Sequence, residues 1–315
     1  GVSGSGKSTL VKQILYPALL KALGKSSNKT GDFDGLSGDL KRLAEVEMID
    51  QNPIGRSSRS NPATYVKAFD FIRELFAKQQ LAKIRGLKAG FFSYNVPGGR
   101  CEVCKGDGEI TISMQFMADV QLQCEECKGK RYTQETLEVE YHGKNINDVL
   151  NLSVDEAIVF FDGKIGLEQK VIERIKPLSE LGLGYLTLGQ SSSTLSGGEA
   201  QRIKLASFLT IGQKNPAPTL FIFDEPTTGL HFHDIDKLII GFNELIKLGH
   251  SILVIEHNME VIKCADWIID IGLEGGVNGG NVVFEGTPED LAKDKKSYTS
   301  KYLKEKLDLK KPIKA

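Results

Sequence analysis

The first apolar pattern along the chain predicts a helix. Apolar side chains recur over residues 10–19 at the three- and four-residue spacing of one helix face. Pro17 lies inside this pattern, and because proline lacks the amide hydrogen that a helix interior uses, we expect the helix to kink or end early. The members of the face are Leu10, Val11, Ile14, Leu15 and Leu19. The polar residues 26–38 that follow predict a loop.

Three short apolar segments predict strands. Residues 45–50 have the pattern of a short strand, and the runs 220–223 and 252–255 are continuously apolar, which is typical of strands buried on both faces. Each segment is followed directly by polar residues that bear on chemistry. These are Gln51 after the first, Asp224 and Glu225 after the second, and Glu256 and His257 after the third.

A further helix and a hairpin are predicted between the first and second strands. Asn61 and Pro62 suit the N-cap and the first position of a helix. One face of this helix would carry Tyr65, Val66, Phe69, Ile72, Leu75 and Phe76. Apolar and polar residues alternate over residues 110–122, which predicts a hairpin.

Residues 137–181 predict a strand and then more helices. Leu137 and Tyr141 belong to an alternating segment that is typical of a strand. Residues 149–181 have helical spacing, with loops expected around Gly163 and Pro177 because these residue types interrupt helices.

The composition is that of a globular protein. The chain has 315 residues, of which 40% are hydrophobic and 26% are charged. No apolar run approaches the roughly 18 residues that a membrane-spanning helix needs, and the first residues lack the order of a signal peptide. We therefore expect a cytoplasmic protein with no membrane partner.

The charge is balanced overall and unbalanced locally. Forty basic and forty-one acidic side chains give a formal net charge of −1, which offers no global field for a polyanion. Residues 54–105, however, contain ten Lys or Arg against three acidic residues. A solvated lysine face is the ordinary interpretation of such a run, and a surface for a polyanion is the alternative.

Residues 1–8 fill the phosphate-loop pattern GxxxxGK[ST]. The glycines of this loop are Gly1, Gly4 and Gly6. They permit backbone conformations that turn amide groups toward one point, and the helix that follows adds the positive end of its dipole. Lys7 would reach the β- and γ-phosphates, and Ser8 would bind Mg²⁺, with Thr9 just behind it. A flexible Gly/Ser-rich segment is the alternative.

Four of the five cysteines form two CxxC pairs. These are Cys101 with Cys104 and Cys124 with Cys127, and nineteen residues separate the two pairs. This is the spacing of a four-thiolate zinc site built from two knuckles, in which Gly106, Gly108 and Gly129 would form the bends. A redox pair is the alternative. With no open position, the zinc would be structural, and Cys264 is expected in the core.

Two further segments carry candidate phosphate chemistry. Residues 194–202 open a helix, and its N-terminus would be a ready anion site. That N-terminus carries Ser196, Gly197 and Gly198. Asp224 would hold Mg²⁺ and Glu225 would polarise the attacking water, while His257 would contact the γ-phosphate. Separately, an acidic pair can cap a turn and a histidine can be a surface residue. Their order along the chain favours nucleotide hydrolysis.

The order of phosphate loop, glutamine, LSGG helix, DEP strand and histidine resembles the ATP-binding cassette (ABC) ATPases. LSGGEAQRIKLA, DEPTTGLH, PGGRCEVCKGDG with CEECKGKRY, and DQNPIGRSSRSNPATY are similar to the second cassette of the UvrA family, the damage-recognition ATPases of bacterial nucleotide excision repair. The similarity runs from Gly1 to about Leu291. Glu199 replaces the glutamine of generic ABC proteins and His231 replaces an aspartate, and both fit the UvrA type.

The resemblance implies an α/β fold, namely an ABC-ATPase (P-loop NTPase) cassette with a helical signature subdomain and an inserted zinc-binding β-hairpin module. The expected domains are the first part of the cassette at 1–53, a signature and DNA-facing insert at 54–189 with the zinc module at about 98–132, the second part of the cassette at 190–290, and a Lys-rich tail at 291–315. Because the sequence begins on its phosphate loop, we expect a fragment that lacks the preceding strand.

The resemblance also implies roles for individual residues. ATP would contact Gly1, Gly4, Gly6, Lys7, Ser8 and Thr9, and Mg²⁺ would be bound by Ser8 and Asp224. Gln51 would be the Q-loop glutamine, Glu225 the general base and His257 the switch histidine. The signature residues, Ser196, Gly197 and Gly198, would contact a γ-phosphate held by the opposite cassette. ATP hydrolysis by the fragment alone is expected to be weak.

The implied partners are damaged double-stranded DNA, a UvrB-type protein, the other cassette of the parent chain and a second copy of the parent, in an excinuclease complex of the SOS response. Candidate DNA contacts are Arg56, Arg59, Lys67 and Arg73, which would bind phosphates rather than bases. Alternatives are a transporter subunit, a chromosome-associated ABC ATPase, and a UvrA paralogue devoted to drug resistance. The first would not use the zinc insert, and the second would show long heptad repeats.

Overall fold

The computed structural model describes residues 1–55, 57, 59–114, 120–163, 165–210 and 217–308, with the backbone alone at 210, 232, 233 and 308. The chain divides into two compact units. Unit 1 comprises Gly1–Gln51 and Gln213–Ala315, and unit 2 comprises Asn52–Gly212. Residues 190–212, which the sequence predicts in the second part of the cassette, fall in unit 2.

The described strands, in chain order, are β1 (Glu45–Ile49), β2 (Glu109–Ile112), β3 (Val120–Gln123), β4 (Glu140–Tyr141), β5 (Lys144–Asn145), β6 (Thr219–Asp224), β7 (Ser251–Ile255), β8 (Ile268–Gly272) and β9 (Asn281–Gly286). The α-helices are α1 (Tyr16–Ala22), α2 (Pro62–Tyr65), α3 (Ala68–Ala77), α4 (Gln80–Ile84), α5 (Gln134–Leu137), α6 (Ile146–Leu150), α7 (Val154–Phe161), α8 (Leu167–Leu178), α9 (Gly197–Thr210), α10 (Phe232–Lys247), α11 (Met259–Ile262), α12 (Pro288–Leu291) and α13 (Tyr298–Asp308). A π-helical turn, Thr9–Leu15, precedes α1.

Unit 1 is built on a parallel sheet in the order β1-β6-β7. This confirms the three strands that the apolar segments predict. Because the strands are parallel, their carboxyl ends share one edge of the sheet, where the polar residues that follow each strand are brought together. One cluster of buried side chains in the core of the unit comprises Val11, Leu19, Val46, Ile222 and Ile255. An antiparallel hairpin of β8 and β9 completes the described strands of the unit.

Of the two outcomes expected at Pro17, an early end of the helix is wrong, and a kink stays a prediction. Pro17 occupies the first turn of α1, where a missing amide hydrogen costs little, and the chain remains helical to Ala22. The π-helical turn before it closes with a bond from the Tyr16 amide to the Val11 carbonyl. The phosphate loop therefore leads into two consecutive helical segments.

Unit 2 begins with a capped helix, as the sequence predicts. The Thr64 amide donates to Asn61 Oδ1 at 2.9 Å, and the Asn61 amide donates to Thr64 Oγ1 at 3.1 Å. The apolar face nevertheless does not belong to one helix. Lys67 adopts a left-handed conformation with φ 60°, and this residue separates α2 from α3.

Two further predictions in unit 2 need correction. Leu137 lies in α5 rather than in a strand, because Thr133 caps a helix there, and only two residues of the segment remain extended in β4. Pro177 lies within the last turn of α8 rather than in a loop. The loop at Gly163 is confirmed, since α7 ends at Phe161 and Gly163 has a φ of 71°.

The antiparallel strand pair predicted between the two CxxC pairs is confirmed, and residues 115–119 of the predicted hairpin lie outside the described residues. β2 and β3 are antiparallel, with Ile110 opposite Leu122 and Ile112 opposite Val120. In the Lys-rich tail, α13 packs as an ordered helix in which Leu303 is buried. None of the helices in the described part of the chain combines the length and apolar character that a membrane-spanning helix needs.

Candidate functional site

The phosphate loop is closed around the side chain of Lys7. Gly4 and Gly6 have φ angles of 76° and 96°, a region that favours glycine. The Lys7 ammonium donates to the carbonyl of Val2 at 2.8 Å and to that of Gly1 at 3.1 Å. Burial lowers the pKa of Lys7, and nearby carboxylates oppose this effect. A cation is thus held inside the loop that the sequence assigns to phosphates.

Ser8 and Asp224, the predicted Mg²⁺ ligands, lie beside each other. Ser8 Oγ donates to Asp224 Oδ1 at 3.4 Å, which joins the start of the first helix to the end of β6. Lys12 Nζ forms an ion pair with Asp224 Oδ2. Sequence reasoning did not single out Lys12, although its position four residues after Ser8 places both on one helix face. A serine hydroxyl and a carboxylate oxygen are donors that suit Mg²⁺.

Glu225 lies where β6, β7 and Gln51, the second residue after β1, converge. His257 Nε2 is 3.3 Å from Glu225 Oε1, and Gln51 Nε2 donates to the Glu225 carbonyl at 3.2 Å. The Glu225 amide donates to the Ile255 carbonyl at 2.8 Å, and its φ of 46° is left-handed. About half of the Glu225 side chain is exposed. A partly exposed carboxylate with its backbone fixed on both sides suits the activation of a water molecule.

Glu256, which the sequence places after the third strand without a role, is a neighbour of the candidate site. Its Oε1 accepts from the Thr227 amide at 2.9 Å and from Thr227 Oγ1 at 2.6 Å. Its Oε2 accepts from the amides of His257 at 2.7 Å and Asn258 at 2.9 Å. One carboxylate therefore ties the loop after β6 to the loop that carries His257. Its position directly before that histidine was the sequence feature that could have indicated this role.

In unit 2, the signature residues form the capped start of α9. The Ser196 amide donates to Glu199 Oε2 at 2.7 Å, and the Glu199 amide donates to Ser196 Oγ at 3.3 Å. Gly197 and Gly198 are the first residues of the helix. Tyr185 donates to Glu199 Oε1 at 2.5 Å, and burial together with this carboxylate raises the pKa of Tyr185 to about 12. Glu199 thus fixes the conformation of the signature turn.

The four paired cysteines of unit 2 form one buried cluster. Their Sγ atoms all lie within 4.8 Å of one another. Those of Cys101 and Cys124 are 3.9 Å apart, and those of Cys104 and Cys127 are 3.6 Å apart. Zn–S bonds of about 2.3 Å in a tetrahedron separate sulfurs by roughly 3.8 Å, and these two separations are close to that value. The Gly108 amide donates to Cys104 Sγ at 3.2 Å, which is the contact that a thiolate would use.

Cys264 does not belong to the core, contrary to expectation. It is exposed, and its thiol donates to the Glu260 carbonyl just beyond the end of α11.

The basic segment 54–105 is partly neutralised by carboxylates within it and just after it. Arg59 Nε and Nη2 donate to Asp107 Oδ1 and Oδ2 at 3.0 and 3.3 Å, which pairs Arg59 with the first zinc knuckle. Arg73 pairs with Asp70 and lies over the Phe69 ring. Lys67 is exposed, and Arg56 lies outside the described residues.

Unit 1 has a parallel sheet with a phosphate loop and carboxylates at its carboxyl edge. Unit 2 is helical and carries a signature helix and a cysteine-bearing hairpin. These features define the class of protein, which is an ABC-type P-loop ATPase cassette. No protein-family model matches the chain. The chain is 54% identical over 307 residues to UvrABC system protein A of Clostridium perfringens. The aligned region covers 98% of this chain and 32% of that protein. The identity to the Staphylococcus aureus protein of the same name is 53% over 308 residues, with the same coverage.

The solved structure of UvrA2 from Deinococcus radiodurans superposes with a TM-score of 0.86 at 47% identity, covering 97% of this chain and 36% of that one. The chain belongs to the UvrA family. It spans about a third of the length of the curated relatives that it matches.

Proposed function

We propose that the chain is an ATP-hydrolysing cassette, the second one, of a nucleotide excision repair ATPase that recognises damaged DNA. The observation that carries the proposal is the convergence at one sheet edge of Ser8 with Asp224 and of Gln51 and His257 with Glu225. The names of the relatives and their greater length support the wider role.

The proposed ATP site uses each group of this edge differently. The phosphate loop and Lys7 would bind the β- and γ-phosphates, and Ser8 and Asp224 would hold Mg²⁺, which would offset the phosphate charge. Glu225 accepts a proton from the attacking water, and His257 orients that carboxylate. The signature turn of this chain contacts ATP bound to a second cassette, so that two cassettes complete two sites.

The zinc module is proposed to organise the surface that binds DNA. Cys101, Cys104, Cys124 and Cys127 would bind Zn²⁺, and their shared metal would hold the two knuckles together. Basic residues of segment 54–105 then contact phosphates of duplex DNA, which confers affinity without sequence preference.

Contacts within unit 2 support a route from the ATP site to this surface. Ser192 Oγ donates to the carbonyls of Gly55 and Ser57 at 3.4 and 3.2 Å, so the segment after Gln51 is bonded to the residues before the signature turn. Arg59, in the same segment, is paired with Asp107 of the zinc knuckle. A displacement of Gln51 on ATP binding would therefore reach both the signature turn and the zinc module.

The experiment is reconstitution of the full-length parent protein with a UvrB-type partner on damaged and intact duplex, with and without ATP. We expect preferential binding of damaged duplex, and transfer of the partner onto it that requires ATP and is lost in Glu225→Gln. Equal affinity for both duplexes together with ATP-independent transfer would contradict the proposed repair function.

A further inference from the structure

The loop between β8 and β9 contains far more glycine than a hairpin connection requires. Residues 275–280 read Gly-Gly-Val-Asn-Gly-Gly, and we call them the glycine loop. A connection of this length needs one or two residues with positive φ, and Gly276 and Gly280, at 63° and 84°, supply them. The other two glycines therefore need a different explanation.

The glycine loop is bonded to the phosphate loop through the backbone. The Gly276 amide donates to the Gly4 carbonyl at 3.0 Å, and the Gly280 amide donates to the Ser5 carbonyl at 2.9 Å. The carbonyl and the amide of one trans peptide point in opposite directions. The bond to Ser5 therefore turns the amide of Gly6, a proposed phosphate ligand, away from the glycine loop.

The remaining two glycines are required by close approach. Gly275 and Gly279 have φ angles of −96° and −87°, which any residue adopts. A Cβ on Gly279 would lie 3.2 Å from the Ser5 Cα and 3.0 Å from the Glu274 carbonyl oxygen, and one on Gly275 would lie 2.9 Å from the Ser3 carbonyl oxygen. A side chain at either position would push the two loops apart.

We infer that the glycine loop is a brace that holds the phosphate loop in its anion-binding shape before nucleotide arrives, with Gly275 and Gly279 as positioning residues. This inference rests on the proposed ATP site. An anion-binding loop with its carbonyls already fixed does not have to be ordered when the phosphates bind, so the brace raises affinity by preorganisation.

The test compares Gly279→Ala with Gly35→Ala in the 315-residue chain. The substitution at Gly35 is the matched control, because a Cβ there meets nothing within 4 Å. Affinities for Mg·ATP and for inorganic pyrophosphate are measured by equilibrium dialysis at a temperature where thermal unfolding shows each variant to be folded. The brace predicts that Gly279→Ala weakens both ligands about tenfold, as expected of overpacking by one methyl group, and that Gly35→Ala weakens neither.

The possible outcomes distinguish failure of the brace from failure of the proposed ATP site. If the wild-type chain binds both ligands and folded Gly279→Ala binds them equally well, the brace is refuted while the ATP site stands. If the wild-type chain binds neither ligand, the proposed ATP site fails, and the brace fails with it. Should Gly279→Ala not fold, hydrogen exchange of the wild-type chain decides, because the brace predicts slow exchange of the Gly276 and Gly280 amides without nucleotide, and fast exchange overturns it.

Discussion

His257 Nε2 lies 3.3 Å from Glu225 Oε1, so the histidine that follows β7 reaches the carboxylate that follows β6. The two strands are adjacent and parallel, with Asp224 in register with Ile255. The Glu225 backbone is held independently by Gln51 and Ile255. Three strand ends thus determine where this carboxylate lies, which is the arrangement that a general base requires.

Replacing Glu225 by glutamine tests its role as the base. Glutamine keeps the shape of the side chain but cannot accept a proton from water, so we expect hydrolysis in the full-length protein to fall by a factor of about 100 or more. ATP binding should remain within a few fold of wild type. Phosphate release and equilibrium binding measure the two quantities. Glu289→Gln, at an exposed position in α12, is the control, and equal hydrolysis by both variants would exclude Glu225 as the base.

Lys12 competes with a metal ion for Asp224. Its ammonium is paired with Asp224 Oδ2, so a cation that binds this carboxylate must displace it or share it. Because the pair is partly exposed, we expect Lys12→Met to lower the Mg²⁺ concentration that half-saturates ATP binding by a factor of about two to five. A Mg²⁺ titration measures this, with Lys21→Met on α1 as control. An unchanged or higher requirement would show that the ion pair does not oppose metal binding.

Removal of one cysteine tests the zinc assignment. Cys101→Ser should abolish stoichiometric zinc in the purified protein, because three thiolates leave the tetrahedral site incomplete. Amide exchange over residues 101–131 should accelerate, since metal binding and local folding are coupled. Cys264→Ser is the matched control, because this exposed cysteine is remote in sequence from the cluster and should leave the metal content unchanged. Elemental analysis that finds equal zinc in both variants would refute the ligand set.

The ion pair between Arg59 and Asp107 predicts coupled effects on stability. Both side chains are about a quarter to a third exposed, so solvent screens the pair, and we expect a coupling free energy of about 0.5 kcal/mol in a double-mutant cycle. Chemical denaturation of wild type, Arg59→Ala, Asp107→Ala and the double variant measures it. Strictly additive effects would show that the pair does not hold the zinc knuckle.

The DNA-binding proposal predicts a change in salt dependence. Arg56→Ala combined with Arg59→Ala in the full-length protein should weaken binding to duplex DNA and lower the slope of log affinity against log salt by about two, if each arginine contacts one phosphate. Lys21→Ala combined with Lys25→Ala, outside segment 54–105, is the control. Unchanged affinity and slope in the arginine variant would remove these residues from the DNA surface.

The sequence was sufficient to place site residues where a residue type suited to phosphate chemistry follows the apolar pattern of a strand. Gln51, Asp224 and His257 could be assigned to one sheet edge because each lies within two residues of the end of an apolar segment, and parallel strands align their carboxyl ends. Lys12 and Glu256 could not be assigned this way, since their significance depends on partners that are distant in sequence, Asp224 for the first and Thr227 for the second.

Local backbone signals were less reliable than strand patterns. The left-handed conformation of Lys67 interrupts a continuous apolar face. No glycine or proline at this position indicates the interruption in the sequence. At Pro17 the residue type predicted a possible end of the helix, but the chain remains helical after the π-helical turn that precedes α1. In both cases the decisive information is backbone geometry, which periodicity does not contain.

Equilibrium dialysis of Mg·ATP against the wild-type chain and Lys7→Ala tests the central claim most directly, with Lys21→Ala on α1 as control. If residues 1–8 bind the phosphates, Lys7→Ala weakens binding at least about tenfold, because a charge-assisted contact to phosphate is lost, while Lys21→Ala binds as wild type does. Equal affinity of the wild-type chain and Lys7→Ala for Mg·ATP would contradict the assignment of this loop as the nucleotide site.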